Sequence, residues 1–292
     1  MELRELKYFL AVAEYGTISK AAEELYVTQP NLSRQIQNLE NELGQKLFIR
    51  GKRKVALTAA GVLLQKRAEE IISLLAKTKE ELTSFDKTLT GTIWIGGGES
   101  YAVKLIAKAA NALQKDYPFV KFRFFSGDTN EVVEKLDEGL LDFGILITPA
   151  DLSNYEYIRL PFVDTWGIWA RKDSPLAEKT EITPSDLIDQ PIIFSKHSYG
   201  KNPITDWFGK NYEKMNVVAT YNLIYNASLM VEEGMGYAVG LGKLINTTGD
   251  SNLQFIPFSP SLKSEIYFVW KKYSVLSKAD EVFLNYLNAS LL

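Results

Sequence analysis

A chain of 292 residues with 46% hydrophobic and 24% charged side chains is an ordinary globular sequence, long enough for about two packed domains. It contains no cysteine and one histidine, His197, which excludes disulfides, thiolate metal sites, cysteine nucleophiles and any site built on two histidines. The net charge of −3 is unevenly spread: residues 1–89 hold 14 Lys and Arg against 12 Asp and Glu, and the remainder 19 against 24, as suits a basic head that alone meets phosphates.

The opening MELRELKYFL intersperses charge with apolar residues, and nowhere do 18 apolar residues follow one another. A soluble cytoplasmic protein without secretory leader or membrane span is expected. Residues 2–15 read as a helix with Leu3, Leu6, Phe9, Leu10 and Ala13 on one face and Gly16 at its end. Two short amphipathic patterns follow. Ile18, Ala21, Ala22 and Leu25 share one face; Leu32, Ile36, Leu39 and Leu43 share another at spacings of four, three and four. Tyr26-Val27-Thr28 between them has the length of a helix-turn-helix turn, with Thr28 placed as a cap and Pro30 in the first turn.

At about 100° per residue, Pro30, Arg34, Gln37, Asn38 and Asn41 lie opposite the apolar stripe of the second helix, with Ser33 on its flank. Amide, hydroxyl and guanidinium groups near a helix start suit the major groove, where amides pair with adenine and Arg forks onto guanine or a phosphate. Lys46–Lys54 then carries five basic residues and no acidic one, and Val55-Ala56-Leu57 reads as a strand. A basic loop leading into a strand directly after the helical pair is the layout of a winged helix-turn-helix, its wing lying along phosphates.

Thr58 is placed to cap a helix running to about Leu89. Leu64, Ala68, Ile71, Leu75, Thr78, Leu82, Phe85 and Leu89 alternate four and three apart, a heptad seam whose simplest partner is the same helix of a second subunit.

The run SKAAEELYVTQPNLSRQIQNLENELGQKLFIRGKRKVALTAAG closely resembles the DNA-binding segment of LysR-type transcriptional regulators. The elements that carry the resemblance are Ala21-Ala22, Leu25, Thr28-Gln29-Pro30, Ser33-Arg34-Gln35-Ile36, Leu39-Glu40, Leu43-Gly44, Leu47-Phe48, Arg50, Leu57-Thr58 and Gly61. It implies base or phosphate contacts for Gln29, Pro30, Ser33 and Arg34, and backbone and wing contacts for Arg50 and Arg53. Asn38 on the exposed face and Lys52 in the basic loop complete the expected DNA-binding set.

From Gly91 the pattern changes to alternating strands and helices, which implies parallel sheets with helical crossovers. Strands are expected at 92–95, 121–125, 142–147, 165–170, 191–194, 217–220, 237–241 and 266–270, with helices at 100–117, 129–140, 204–212, through 229–232, and at 279–287. Two such lobes resemble the periplasmic-binding-protein-like effector domain of the same family. The resemblance implies that the chain crosses between lobes near Leu160-Pro161-Phe162 and near Pro260–Lys263. The expected organisation is α+β and multidomain: a winged helix-turn-helix (1–58), a linker and dimerisation helix (59–89), and a two-lobed α/β effector domain (90–292). Lobe I takes about 90–161 and 264–292, and lobe II about 162–263.

Ligands of parallel sheets gather at the carboxyl ends of the strands. That rule gives Ser100, Tyr101, Thr129 and Thr148 in one lobe, and Ser195, Lys196, His197, Tyr225 and Asn226 in the other, around a small polar effector, expected to be an anion with Lys196 and His197 as its positive partners. Glu99 beside the expected anion site leaves three readings open: repulsion of a carboxylate, preference for a cationic or amphoteric effector, or a solvent-facing side chain. Gly96–Gly98 lacks the G-x-G-x-x-G spacing, so no dinucleotide cofactor is expected there. Family members often carry a Leu-Pro pair where this chain has Leu241-Gly242. An enzymatic reading of the α/β body finds no G-x-S-x-G, no GK[ST] phosphate loop, no metal-ligand spacing and one histidine only. The expected function is therefore a non-catalytic regulator that binds a promoter dyad as a homodimer or homotetramer and is switched by a small molecule, with no cofactor or metal. An architectural DNA binder without effector is the alternative.

Overall fold

The computed structural model describes residues 1–51, 54–83, 89–196 and 203–291. The chain divides into two compact units, Met1–Phe85 and Asp86–Leu292.

The first unit consists of helices α1 (Leu3–Tyr15), α2 (Ile18–Glu24) and α3 (Gln29–Leu43), strands β1 (Phe48–Arg50) and β2 (Val55–Leu57), and helix α4 (Ala59–Thr83). The apolar stripes read from the sequence face one another: Leu6, Phe9 and Val12 of α1, Ala21 and Ala22 of α2, and Leu32, Ile36 and Leu39 of α3 form one core with Leu47, Phe48 and Ala68. Thr17 Oγ1 accepts the Lys20 backbone N–H at 3.2 Å and starts α2. Thr28 precedes α3 with extended backbone, but its hydroxyl makes no capping bond. Pro30, the second residue of α3, removes one of the two N–H groups such a cap serves. β1 and β2 pair antiparallel, Phe48 opposite Leu57 and Arg50 opposite Val55.

Thr58 Oγ1 accepts the Gly61 N–H at 3.0 Å at the start of α4. Two expectations about this helix need correction. Among the described residues it covers Ala59–Thr83, and Leu89, expected as its last seam position, packs instead against the sheet core of the second unit. The first positions of the heptad seam, Leu64 and Ala68, are taken up by the core of the first unit, because α4 lies against α1 there. The exposed large apolar side chains of α4, among the described residues, are Val62, Leu63, Ile71 and Leu74. Phe85 of the expected seam lies outside the described residues.

The second unit runs through β3 (Gly91–Gly97), α5 (Val103–Asp116), β4 (Val120–Ser126), α6 (Thr129–Asp137), β5 (Phe143–Ile147) and β6 (Tyr155–Arg171). It continues with β7 (Pro191–Ser195), α7 (Pro203–Phe208), β8 (Asn216–Tyr221), α8 (Ile224–Glu232), β9 (Tyr237–Leu241), β10 (Leu253–Pro257), β11 (Lys263–Lys271) and α9 (Lys278–Ala289). Strand order is β4-β3-β5-β11-β6-β9-β7-β8, with β10 also on β6. β3 pairs parallel with β4 and β5, and β7 parallel with β8 and β9. The sheets are not wholly parallel, however. β6 and β11 run antiparallel to each other and to their outer neighbours, and carry the chain between the two parallel halves.

The first of these connections is longer than the sequence suggested: one strand covers Tyr155–Arg171, not 165–170 alone. Its pairing with β11 jumps from Arg159–Tyr267 to Val163–Glu265, leaving Leu160-Pro161-Phe162 as a bulge. Proline has no N–H for a ladder and is tolerated where pairing is interrupted. Leu160, the first residue of the bulge, packs in the core beneath α5 and α9, whereas Ile168 beyond it packs in the core beneath α7. Opposite sheet faces are covered by α6 in the first lobe and α8 in the second. In the first lobe Phe143 stacks on Phe268 with centroids 4.9 Å apart, and Phe283 of α9 lies 5.8 Å from Phe143. Burying each ring stabilises by roughly 1.5–3 kcal/mol.

Candidate DNA interface and ligand cavity

In α3, Leu32, Ile36 and Leu39 are buried, while Gln29, Pro30, Arg34, Gln37 and Asn38 are exposed and Ser33 is half-buried. One continuous polar surface therefore runs from the helix start along its outer face. The next segment is anchored by Glu40, a residue the sequence reading did not single out for a role. The residue is only 3% exposed. Oε1 accepts the backbone N–H groups of Leu47 and Phe48 at 2.9 and 3.3 Å, and Oε2 receives Lys46 Nζ at 2.9 Å. Burial opposes the charge, but these donors outweigh it and hold the carboxyl below its ordinary range. Glu40 thus fixes where the chain leaves α3 and enters the hairpin. The turn from β1 to β2 is closed by Gly51 N–H donating to Lys54 O at 3.0 Å, and Val55 N–H donates to Gly16 O at 2.9 Å. Arg50 lies in β1; Lys52 and Arg53 lie outside the described residues.

In the second unit the carboxyl ends of β3, β4, β5, β7 and β8 open on a cavity of about 540 Å³, within the roughly 300–1,000 Å³ range of small-molecule sites. Thr129, Thr148, Ser195 and Lys196 line it. His197 lies outside the described residues. Four expected positions point elsewhere. Ser100 is buried and its Oγ accepts the Ala102 N–H at 3.1 Å, at the start of α5. The Tyr101 ring packs edge-on against Phe162 at 6.1 Å, and its hydroxyl accepts from Lys104 Nζ at 3.1 Å. Tyr225 and Asn226 face solvent, because α8 begins at Ile224 and turns Ile224, Ala227 and Ser228 inward instead.

The side of the cavity at the lobe crossing is cross-braced. Trp166 Nε1 donates to Ser264 Oγ at 2.9 Å, Ser264 Oγ donates to Thr148 O at 2.9 Å, and Thr148 Oγ1 accepts the Glu265 N–H at 2.9 Å. Trp166, Ser264 and Thr148 all line the cavity, so the two crossing strands and the end of β5 form one hydrogen-bonded edge. On the facing side Glu99, after β3, reaches the other lobe: its Oε2 accepts the Ile224 N–H at 2.6 Å, at the start of α8. Tyr221 lies close by, donating to Val239 O at 2.6 Å; burial first and the Glu99 charge second push its phenol well above the usual range. Asp128 and Glu131 cap α6 reciprocally, Asp128 Oδ1 accepting from Asn130 and Glu131 N–H at 2.7 and 3.0 Å, and Glu131 Oε2 from Asp128 N–H at 2.9 Å.

Asp164, on β6, is buried with Oδ2 unpartnered, close to Ser100 and Lys243; burial raises its pKa, partly offset by those two neighbours.

Gly96 is explained by packing: a side chain there would bring Cβ within 2.3 Å of Leu141 Cδ1, so the residue allows close contact inside the lobe. No group of His, Asp and Glu suited to a metal ion occurs among the described residues, and no described helix is long and apolar enough to cross a membrane.

Residues 3–62 match the model of the bacterial regulatory helix-turn-helix protein, lysR family, and residues 86–291 match the LysR substrate binding domain. The chain belongs to the LysR family. It is 32% identical over 279 residues to the Hca operon transcriptional activator HcaR of Escherichia coli K12, covering 93% of this chain and 92% of HcaR. It is 30% identical to the HTH-type transcriptional regulator YtlI of Bacillus subtilis, over 82% of this chain and 77% of YtlI. Among solved structures it resembles full-length CbnR complexed with its target DNA, with a TM-score of 0.75 at 19% identity over 99% of this chain and all of that one; this likeness is one of fold. Full-length BenM matches with a TM-score of 0.55 at 25% identity, over all of this chain and 95% of BenM. The chain is accordingly a LysR-type DNA-binding transcriptional regulator with an effector-binding domain, from a family of regulators and not of enzymes.

The local geometry at Gly242 accounts for a residue other than proline after Leu241. Gly242 N–H donates to Thr165 O at 3.0 Å, a bond proline cannot make, and a Cβ at Gly242 would sit 2.8 Å from the Phe255 ring.

Proposed function

We propose that Gln29, Pro30, Ser33, Arg34 and Asn38 of α3 form the surface that reads base edges and adjacent phosphates, with Arg50, Lys52 and Arg53 of the wing neutralising the backbone alongside. The observation that carries this reading is the division of α3 into a buried apolar stripe and an exposed polar face that begins in its first turn. In the same reading the cavity of the second unit holds a small polar effector against Thr129, Thr148, Ser195 and Lys196. Binding across two lobes joined by β6 and β11 supplies the two-state element a switch needs. An anionic effector is the less favoured choice, since the helix starts of α6 and α8 that open on the cavity already hold Asp128 and Glu99. The molecule works as a homo-oligomer in the cytoplasm, paired through α4, so that two reading helices meet the half-sites of a dyad.

The test is a binding titration of the full-length protein and Arg34→Ala on the dyad upstream of its target genes and on a scrambled duplex. The variant is expected to lose about 1–3 kcal/mol of discrimination while keeping salt-dependent binding to both. Undiminished selectivity in Arg34→Ala would refute the assignment of α3 as the reading helix.

A further inference from the structure

Three carboxylates, Glu99, Asp128 and Glu131, line the cavity, and Lys196 is the one basic side chain that does so among the described residues. A helix start presents unpaired N–H groups and a partial positive charge, and is where a carboxylate or phosphate ligand would dock. At α6 the chain fills that place locally, with the reciprocal caps of Asp128 and Glu131. At α8 it has no local means to do so: Leu223 precedes the helix and offers no side-chain cap. The place is filled by Glu99 from the other lobe, 125 residues away in sequence, through its 2.6 Å bond to the Ile224 N–H.

We infer that Glu99 is a tethered ligand: its carboxylate occupies the anion position at the start of α8, links the lobes across the cavity without an effector, and closes that position to carboxylate and phosphate effectors. This inference rests on the cavity being the effector site. The side chain brings a carboxylate to the helix start and enters from the lobe opposite the helix it caps. An effector that fits beside it carries groups that donate to a carboxylate, such as ammonium or hydroxyl, and not a carboxylate of its own at that position. Such a donor competes with Ile224 N–H for Glu99 and thereby acts on the contact that joins the lobes.

Removal followed by replacement in solution tests the inference. Full-length Glu99→Ala is expected to melt several degrees below the parent in its effector-domain transition, and to lose hydrogen-exchange protection at the Ile224 amide. Added acetate is expected to restore both saturably in Glu99→Ala and to leave the parent unchanged. Glu99→Gln, whose amide oxygen still fills the place, is expected to remain insensitive to acetate. Acetate stabilising the parent as much as Glu99→Ala, or leaving Glu99→Ala unaltered, overturns the inference. A third variant separates this failure from that of the cavity reading. Ile147→Trp fills the cavity behind Thr148; if rescue of Glu99→Ala by acetate survives Ile147→Trp unweakened, acetate acts outside the cavity and the tethered-ligand assignment falls. If Ile147→Trp leaves the regulated transcription of the target genes in cells as it is with the parent, it is the cavity reading that falls.

Discussion

Glu40 at the end of α3 holds the backbone of Leu47 at the entrance to β1, its Oε1 accepting the Leu47 N–H at 2.9 Å. The same carboxylate takes Phe48 N–H and Lys46 Nζ, so one side chain ties the last turn of α3 to the hairpin behind it. Glu40→Gln leaves these donors with a weaker acceptor in a buried place, and should lower the stability of the first unit by about 1–3 kcal/mol. The pH dependence follows from the depressed carboxyl. In the unfolded chain it titrates near 4.5, and in the fold below that value. Its contribution is therefore complete above pH 4.5 and disappears as the pH falls through the lower, folded value. Denaturant titrations of parent and Glu40→Gln between neutral and strongly acidic pH should converge on acidification; a gap that stays constant would show that charge plays no part.

Much of this architecture is legible in single residues. Leu32, Ile36 and Leu39 at helical spacing set which face of α3 is buried, and hence which faces outward. The apolar run Tyr237–Leu241 is a fully buried strand with the bounds its composition suggests. What the sequence conceals depends on partners distant along the chain. Pro161 and Asp164 disguise a continuous strand, because the bulge that tolerates the proline is defined only by the register against β11. Glu99 beside a glycine run cannot announce that it caps a helix 125 residues later. The heptad pattern of α4 is real, yet periodicity cannot tell which surface takes up Leu64 and Ala68; the first unit's own core does.

That reassignment moves the expected pairing face of α4. Leu63 and Leu74 are 63% and 42% exposed, and their separation of eleven residues brings them onto one side of the helix, with Ile71 on the flank. Burying such a leucine against a partner stabilises by roughly 1.5–3 kcal/mol. Replacing both with Glu in each of two chains should weaken self-association upward of about a thousandfold. Light scattering at micromolar concentration should then report a monomer, while the helical signal by circular dichroism remains, since neither leucine belongs to a buried core. An unchanged oligomer would place the interface on another surface.

Gly242 gives a prediction about a proline. Gly242→Pro deprives Thr165 O of the N–H it accepts at 3.0 Å and drives ring atoms toward Phe255, where even a Cβ would stand 2.8 Å from the ring. The lost bond alone is worth about 1–3 kcal/mol where the acceptor stays buried, and the collision adds to it. Gly242→Ala keeps the N–H and isolates the collision. Both variants should melt below the parent, Gly242→Pro further than Gly242→Ala, and adding Phe255→Leu should recover part of the loss in each by relieving the ring contact. If Gly242→Pro is as stable as the parent, neither the Thr165 bond nor the Phe255 contact explains why glycine stands here.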